Sequence, residues 1–179
     1  DKVLKGVYES LFGHATQYDR AVGFFSSEVL EANLKGVVSL VKNNGKMRLV
    51  IGHPITDDEF EAIKYYGDHT KVMDQLSQKF NELIIESEDR SFNKLEILAW
   101  LSNNGRLEIK FALRRQGMYH EKIGIFYDED GNKVCFTGSA NETIYGLTGL
   151  YNAESIIVFP SWGVGFDLYG QSCIDGFET

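Results

Sequence analysis

Cysteine is scarce in this chain: Cys135 and Cys173 are the only two among 179 residues. A secreted domain of this length could pair them, but two thiols make no disulfide framework, and they read as reduced side chains of a cytoplasmic protein. There is no Cys-x-x-Cys and no His-x-x-x-His, and His14, His53, His69 and His120 are scattered. That pattern excludes the usual spacings of a structural zinc site, and no metal or other cofactor is expected. No apolar run approaches the ~20 residues that span a bilayer, and no secretory pattern opens the chain, so no membrane partner is expected. Positive charge is also short. Lys and Arg number 18 against 26 Asp and Glu, for a net charge of −8, which argues against a protein that coats nucleic acid by charge alone. Beyond Lys133 there is no Lys or Arg at all, while Glu142, Glu154, Asp167, Asp175 and Glu178 follow.

The composition that remains is globular, with 43% hydrophobic and 13% aromatic residues, and the length suits one domain over 1–179. The chain starts at Asp1 without an initiator Met and stops at Thr179 without a tail, and is read as a domain excised from a longer protein. Arg106, Lys110, Arg114, Arg115, Lys122 and Lys133 cluster in sequence. They form either a solvated surface or a positive pocket on an acidic body.

Periodicity places the elements. Lys2 to Phe12 has helical spacing. Arg20 to Ser26 reads as a buried strand, Ser27 to about Asn43 as a helix closed by Asn43-Asn44-Gly45, and Lys46 to Ile51 as a strand. This strand–helix–strand unit implies parallel pairing with helices on the sheet faces. Thr56 and Glu59 form a capping box for a helix that continues, with a break near Gly67, to about Glu88. Phe92 to Leu101 is a helix, and Leu107 to Leu113 a strand. Lys122 to Tyr127 and Lys133 to Thr137 are strands joined through Asp130-Gly131, a hairpin signal. Asn141 to Leu147 is a short helix and Ala153 to Phe159 a strand, while the last twenty residues fit no pattern. The expected fold is α/β, with a mixed, largely parallel sheet flanked by helices on both faces.

The chemistry concentrates between Met118 and Glu154. His120 and Lys122 stand two apart on an expected strand, so both point to one face; Gly124 follows on that face and leaves space, while Ile123 and Ile125 face the core. Across the hairpin, Ser139 and Asn141 repeat the spacing. An imidazole, an ammonium, a hydroxyl and an amide around one point suit phosphate-ester chemistry without a metal. Lys122, Ser139 and Asn141 would hold phosphate oxygens. His120 would attack phosphorus and form a phosphohistidine. A partner at its second ring nitrogen would fix the tautomer, and Glu154 is the candidate.

These residues carry a resemblance. His-x-Lys at His120 and Lys122, Gly-Ser-x-Asn at Gly138, Ser139 and Asn141, and Asn-x-Glu at Asn152 and Glu154 resemble the phospholipase D superfamily. The flavour is that of its nuclease-like branch, which includes metal-independent endonucleases and domains attached to helicase-like and restriction proteins. RAVGFFS and KMRLVIG also look like that branch. The superfamily pattern places an Asp five residues after the Lys; here that position is Tyr127, and the Asp is Asp128. Either the spacing slips at a strand end or Asp128 is a hairpin residue.

The resemblance implies a phosphodiesterase cleaving nucleic acid, DNA above all, with a helicase or ATPase domain as a possible neighbour in the full protein. The chemistry needs a second histidine to protonate the leaving oxygen and activate water, and this chain carries one motif. Relatives with one motif share a site across a two-fold axis, which implies a homodimer contributing His120 from each protomer. A lipid phosphatidyl transferase and a non-catalytic binding module attached to a helicase are the rival readings.

Overall fold

The computed structural model describes residues 7–52, 56–71, 74–75, 78, 93–112, 119–143, 146 and 154–179. His53, Arg114, Arg115, Asn152, most of the stretch to Glu88, and most of the helix expected over Asn141–Leu147 lie outside the described residues.

A six-stranded sheet organises the chain. In chain order the elements are α1 (Glu9–Phe12), β1 (Ala15–Val22), α2 (Glu28–Ala32), α3 (Leu34–Lys42), β2 (Lys46–Ile51), α4 (Asp57–Asp68), α5 (Lys94–Asn103), β3 (Leu107–Phe111), β4 (Ile123–Asp128), β5 (Lys133–Gly138), β6 (Ile156–Pro160), a π-helical turn (Phe166–Gly170) and α6 (Gln171–Glu178). The strand order is β3-β2-β1-β4-β5-β6. The sheet is mixed as expected, but its parallel part is confined to β1, β2 and β3; β4 pairs antiparallel with β1, and β5 and β6 continue antiparallel.

The first strand lies earlier than the expected Arg20–Ser26. Hydrophobicity favours the later frame because Gln17 and Asp19 are polar. Asp19 and Arg20 are nonetheless buried, because each has a partner. Arg48 on the neighbouring β2 grips Asp19 with two bonds of 2.8 and 2.6 Å, and Arg20 meets Glu142 on the opposite face. Pairing of this kind is what permits charges inside a sheet. The helix expected over 27–43 is interrupted at Asn33, whose φ of −110° and ψ of 30° leave the helical region. Its end is as expected: Asn44 adopts φ 56°, and the Gly45 amide returns to the Leu40 carbonyl at 2.8 Å. Thr56 and Glu59 form the capping box, and the second oxygen of Glu59 accepts from the Ser27 amide at 2.9 Å, tying α4 to the start of α2.

Alternation along the strands divides the core. One face of the sheet packs Tyr18, Val22, Leu49, Phe126 and Phe136 against α1, α2, α3 and α5. The other packs Ala21, Ile123, Ile125 and Cys135 against Phe166, Cys173, Ile174 and Phe177 of the C-terminal segment that sequence left unplaced. Arg48 fastens that segment: it bridges Asp19 and Glu178 and lies over the Phe177 ring at 5.0 Å. Helices thus cover both faces. Both cysteines are free thiols. Among the described residues no helix is long and apolar enough to cross a membrane.

Candidate active site

The topology collects the candidate residues at one end of the sheet. β1 and β2 run parallel with Val22 beside Ile51, so both leave the sheet at the same end. β4 is antiparallel to β1 and enters there, with Ile123 opposite Ala21. Ile123 also faces Thr137 near the end of β5, and Gly138 faces Ile156 at the start of β6. Residues just after β1, β2 and β5, and just before β4 and β6, therefore surround one point. These are Gly23, Gly52, Ser139 to Glu142, His120 to Lys122, and Glu154. The carboxyl ends of parallel strands at a change of strand direction are where open sheets of this class hold ligands.

His120 and Lys122 lie in the extended approach to β4 rather than inside the strand that the sequence suggested. His120 is exposed, while Lys122 is 7% exposed. The Lys122 Nζ curls back to within 3.2 Å of His120 Nδ1 and donates to the His120 carbonyl at 3.0 Å. Burial first, and then the charge of Arg20, hold the Lys122 ammonium below the ordinary lysine pKa; Glu154 opposes them.

Asn141 is oriented by the main chain of Phe24, whose amide donates to Asn141 Oδ1 at 3.2 Å. That bond fixes the amide's sense and leaves its NH₂ group to act as a donor. Gly23 is where Asn141 and His120 come together. A Cβ built there would lie 3.5 Å from Asn141 Oδ1, 3.8 Å from His120 Cδ2 and 3.3 Å from the Tyr119 carbonyl. Gly52 is tighter still, since its Cβ would stand 2.6 Å from the Tyr119 carbonyl. Two glycines at two strand ends thus let the His120 segment cross the sheet at backbone contact distance. Gly52→Ala is expected to displace Tyr119 and His120 and to lower activity by about tenfold or more, with the far-ultraviolet circular dichroism spectrum unchanged.

Ser139 and Glu154 are joined, but not as expected. The Ser139 hydroxyl donates to Glu154 Oε2 and accepts from the Ser155 amide at 3.1 Å. Among the described residues Glu154 makes no hydrogen bond to His120; the imidazole's partner is Lys122. Gly124 does not leave open space, because the Phe136 ring fills it, 2.0 Å from where a Cβ would be. Asp128 closes the hairpin, accepting from the Asp130 amide at 3.0 Å, the Asn132 amide at 2.8 Å and the Asn132 side chain at 2.9 Å. It is a turn residue at the opposite end of β4 from His120.

No protein-family model and no curated protein matches this sequence. Solved structures do. One variant of yeast tyrosyl-DNA phosphodiesterase 1 superposes with a TM-score of 0.50 at 11% identity, over 98% of this chain and 34% of that one. A second variant of the yeast tyrosyl-DNA phosphodiesterase gives 0.50 at 10% identity, over 96% of this chain and 33% of that one. The chain shares the fold of this part of the yeast phosphodiesterase. This chain spans about a third of the length of those structures.

On this fold, the motif residues read from sequence that are described come to one end of the sheet. Asn152 falls outside the described residues. Sequence reasoning missed what lies beneath. Arg20 and Glu142 are 1% and 2% exposed and form an ion pair of 2.8 Å directly under the Asn141 segment. No local signal announces the pair: Arg20 follows Asp19 directly, and Glu142 stands among Ser139, Asn141 and Thr143, where a charge reads as surface.

Proposed function

We propose that this protein hydrolyses phosphodiesters of nucleic acid, DNA in the first instance, through a covalent phosphohistidine on His120, without a metal. The observation that carries this reading is the convergence of His120 and the Asn141 amide on Gly23 at one sheet end, with the Lys122 ammonium 3.2 Å from the His120 ring. The yeast phosphodiesterase named for its action on tyrosyl-DNA supports the substrate class through shared fold.

In this reading Lys122 and the Asn141 NH₂ hold the non-bridging oxygens and offset the charge that builds at phosphorus. A ring nitrogen of His120 attacks; the P–N bond forms as the P–O bond to the leaving group breaks. The leaving oxygen takes a proton from a second imidazole. Water then attacks phosphorus and gives its proton to that imidazole, and the P–N bond breaks to restore His120. The contact between Lys122 and Nδ1 is informative about protonation. When the ammonium donates to Nδ1, that nitrogen's lone pair is occupied and the ring proton of the neutral tautomer sits on Nε2. Engagement of Lys122 with a phosphate oxygen removes that donor and releases the Nδ1 lone pair for attack on phosphorus.

Ser139 and Glu154 act together behind the phosphate site, Glu154 holding the Ser139 hydroxyl and favouring the charged form of Lys122. This gives a pH test. The alkaline limb of activity reports loss of the Lys122 proton and lies below the ordinary lysine range. Glu154→Gln keeps an oxygen for Ser139 but removes a charge that raises the Lys122 pKa. The limb should therefore move to lower pH, and a limb that stays or moves up contradicts the assignment.

The second imidazole is His120 of a partner copy, which makes the site one of a homodimer. The exposure of His120 suits such sharing. Cleavage of plasmid and single-stranded DNA should persist in excess EDTA, and specific activity should fall on dilution in step with dimer dissociation seen by light scattering. Activity independent of dilution in a monomeric sample would remove the partner from the mechanism. The acidic net charge of −8 fits a domain brought to DNA by an attached helicase or ATPase domain.

A further inference from the structure

Beneath the site lies a buried polar cluster that the chemistry above does not use. Arg20 is 1% exposed on β1. Its Nε donates to Glu142 Oε2 at 2.8 Å, and its Nη2 donates to the Ala140 carbonyl at 2.6 Å. Those acceptors belong to the two residues on either side of Asn141. Glu142 Oε2 also accepts from Tyr8 Oη at 3.0 Å and Tyr18 Oη at 3.2 Å, and the tyrosines are joined at 2.9 Å. The main chain adds a second hold: the Ser26 amide donates to the Glu142 carbonyl at 3.0 Å, beside a bridge between Phe25 and Glu142. The guanidinium lies over the Phe136 ring at 5.1 Å.

Stability alone gives no reason for this cluster. Burying an ion pair costs desolvation that its attraction only partly returns, and a packed apolar pair is often as stable. Here Nη1 of Arg20 is buried without a hydrogen-bond partner as well. What the cluster does supply is direction. A segment leaving β5 at Gly138 has many ways to turn. Bonds from one rigid guanidinium to residues 140 and 142 restrict it to the turn that sets the Asn141 amide against the Phe24 N–H and Gly23.

We propose that Arg20, seated by Glu142, Tyr8 and Tyr18, is a positioning residue that grips the chain on both sides of Asn141 and so aims the Asn141 NH₂ at the substrate phosphate. The inference rests on the phosphodiesterase reading for its kinetic consequence but not for its geometry. Arg20 does not touch substrate. Lysine at this position would keep the charge beside Lys122 and lose the fork, because one ammonium cannot reproduce the directed Nε and Nη2 bonds.

The test is Arg20→Lys in the wild-type and Asn141→Ala backgrounds, with kinetics on a phosphodiester and ¹H–¹⁵N relaxation of the Asn141 side-chain amide, assigned by its loss in Asn141→Ala. In the wild-type background, kcat should fall about tenfold or more, with the alkaline limb unmoved because the charge is kept. In the Asn141→Ala background the same change should have no further effect, since there is no amide left to aim. The amide should become measurably more mobile in Arg20→Lys. An equal kcat loss in both backgrounds, or an unchanged kcat in the first, overturns the proposal. If the wild type cleaves no phosphodiester, the functional reading fails by itself, and the amide relaxation alone decides the grip: unchanged relaxation overturns it. If Arg20→Lys does not fold, Tyr8→Phe, which removes one donor from Glu142, is read in the same two backgrounds with a smaller expected loss of about threefold.

Discussion

His120→Ala is expected to lower phosphodiester cleavage by about 10³-fold or more while leaving the fold untouched. Both halves follow from the position of the residue. The side chain is exposed, so its loss opens no cavity, and the buried Lys122 ammonium, which loses its contact with the ring, keeps the residue-120 carbonyl as an acceptor. A surface change of this kind moves stability by about 0.5 kcal/mol or less. The chemical loss is large because no other described imidazole reaches this end of the sheet: His14 lies beside Asp128 and Trp162 near the hairpin, and His69 stacks on Tyr65 at the end of α4. Steady-state kinetics in excess EDTA, with a thermal melt of the same samples, measures both. A variant that is folded and still cleaves removes His120 from the mechanism.

Glu142→Ala is expected to have the largest effect on stability of any single change near the site, about 3–5 kcal/mol. The carboxylate is buried and accepts from three groups, Arg20, Tyr8 and Tyr18. Removing it leaves the Arg20 guanidinium, which cannot discharge by losing a proton, buried against an apolar gap. For a domain of this size the melting temperature should fall by roughly 10 °C. Arg20→Ala should cost less, because the stranded Glu142 can neutralise by binding a proton. Thermal unfolding of the two variants side by side checks the ordering, and equal or reversed losses would show that the pair does not carry its charge in the buried state.

The sequence was most legible where chemistry and backbone geometry coincide. His120, Lys122, Ser139 and Asn141 announce themselves by spacing and order, and the hairpin at Asp130-Gly131, the capping box at Thr56 and Glu59, and β2 needed only local rules. The failures share a physical cause: burial of polar groups with distant partners. The expected strand begins at Arg20 and leaves out Gln17 to Asp19 because nothing local says that Arg48 is 2.6 Å from Asp19, just as nothing local says that Arg20 finds Glu142 across 122 positions. Glu154 bonds Ser139 where a contact with His120 was expected. Its position beside Ser139 depends on how β6 enters the sheet against β5, a pairing that spacing does not encode. Gly124 illustrates the reverse error: a missing side chain reads as space for a ligand, whereas Phe136 from the adjacent strand occupies it. The C-terminal segment was illegible because its apolar residues, Phe166, Cys173, Ile174 and Phe177, are few and set among glycines and polar residues, and the Arg48 bridge to Glu178 that fastens it comes from a distant strand.

The central claim is that His120 becomes covalently bonded to phosphorus. The most direct measurement is rapid acquisition of the intact mass and peptide map of the wild-type protein, quenched during turnover of a phosphodiester in excess EDTA. A transient adduct of the phosphoryl fragment is expected, located on the peptide carrying His120 and missing from His120→Ala. Turnover with no adduct at any time, or an adduct on a different residue, would contradict the claim.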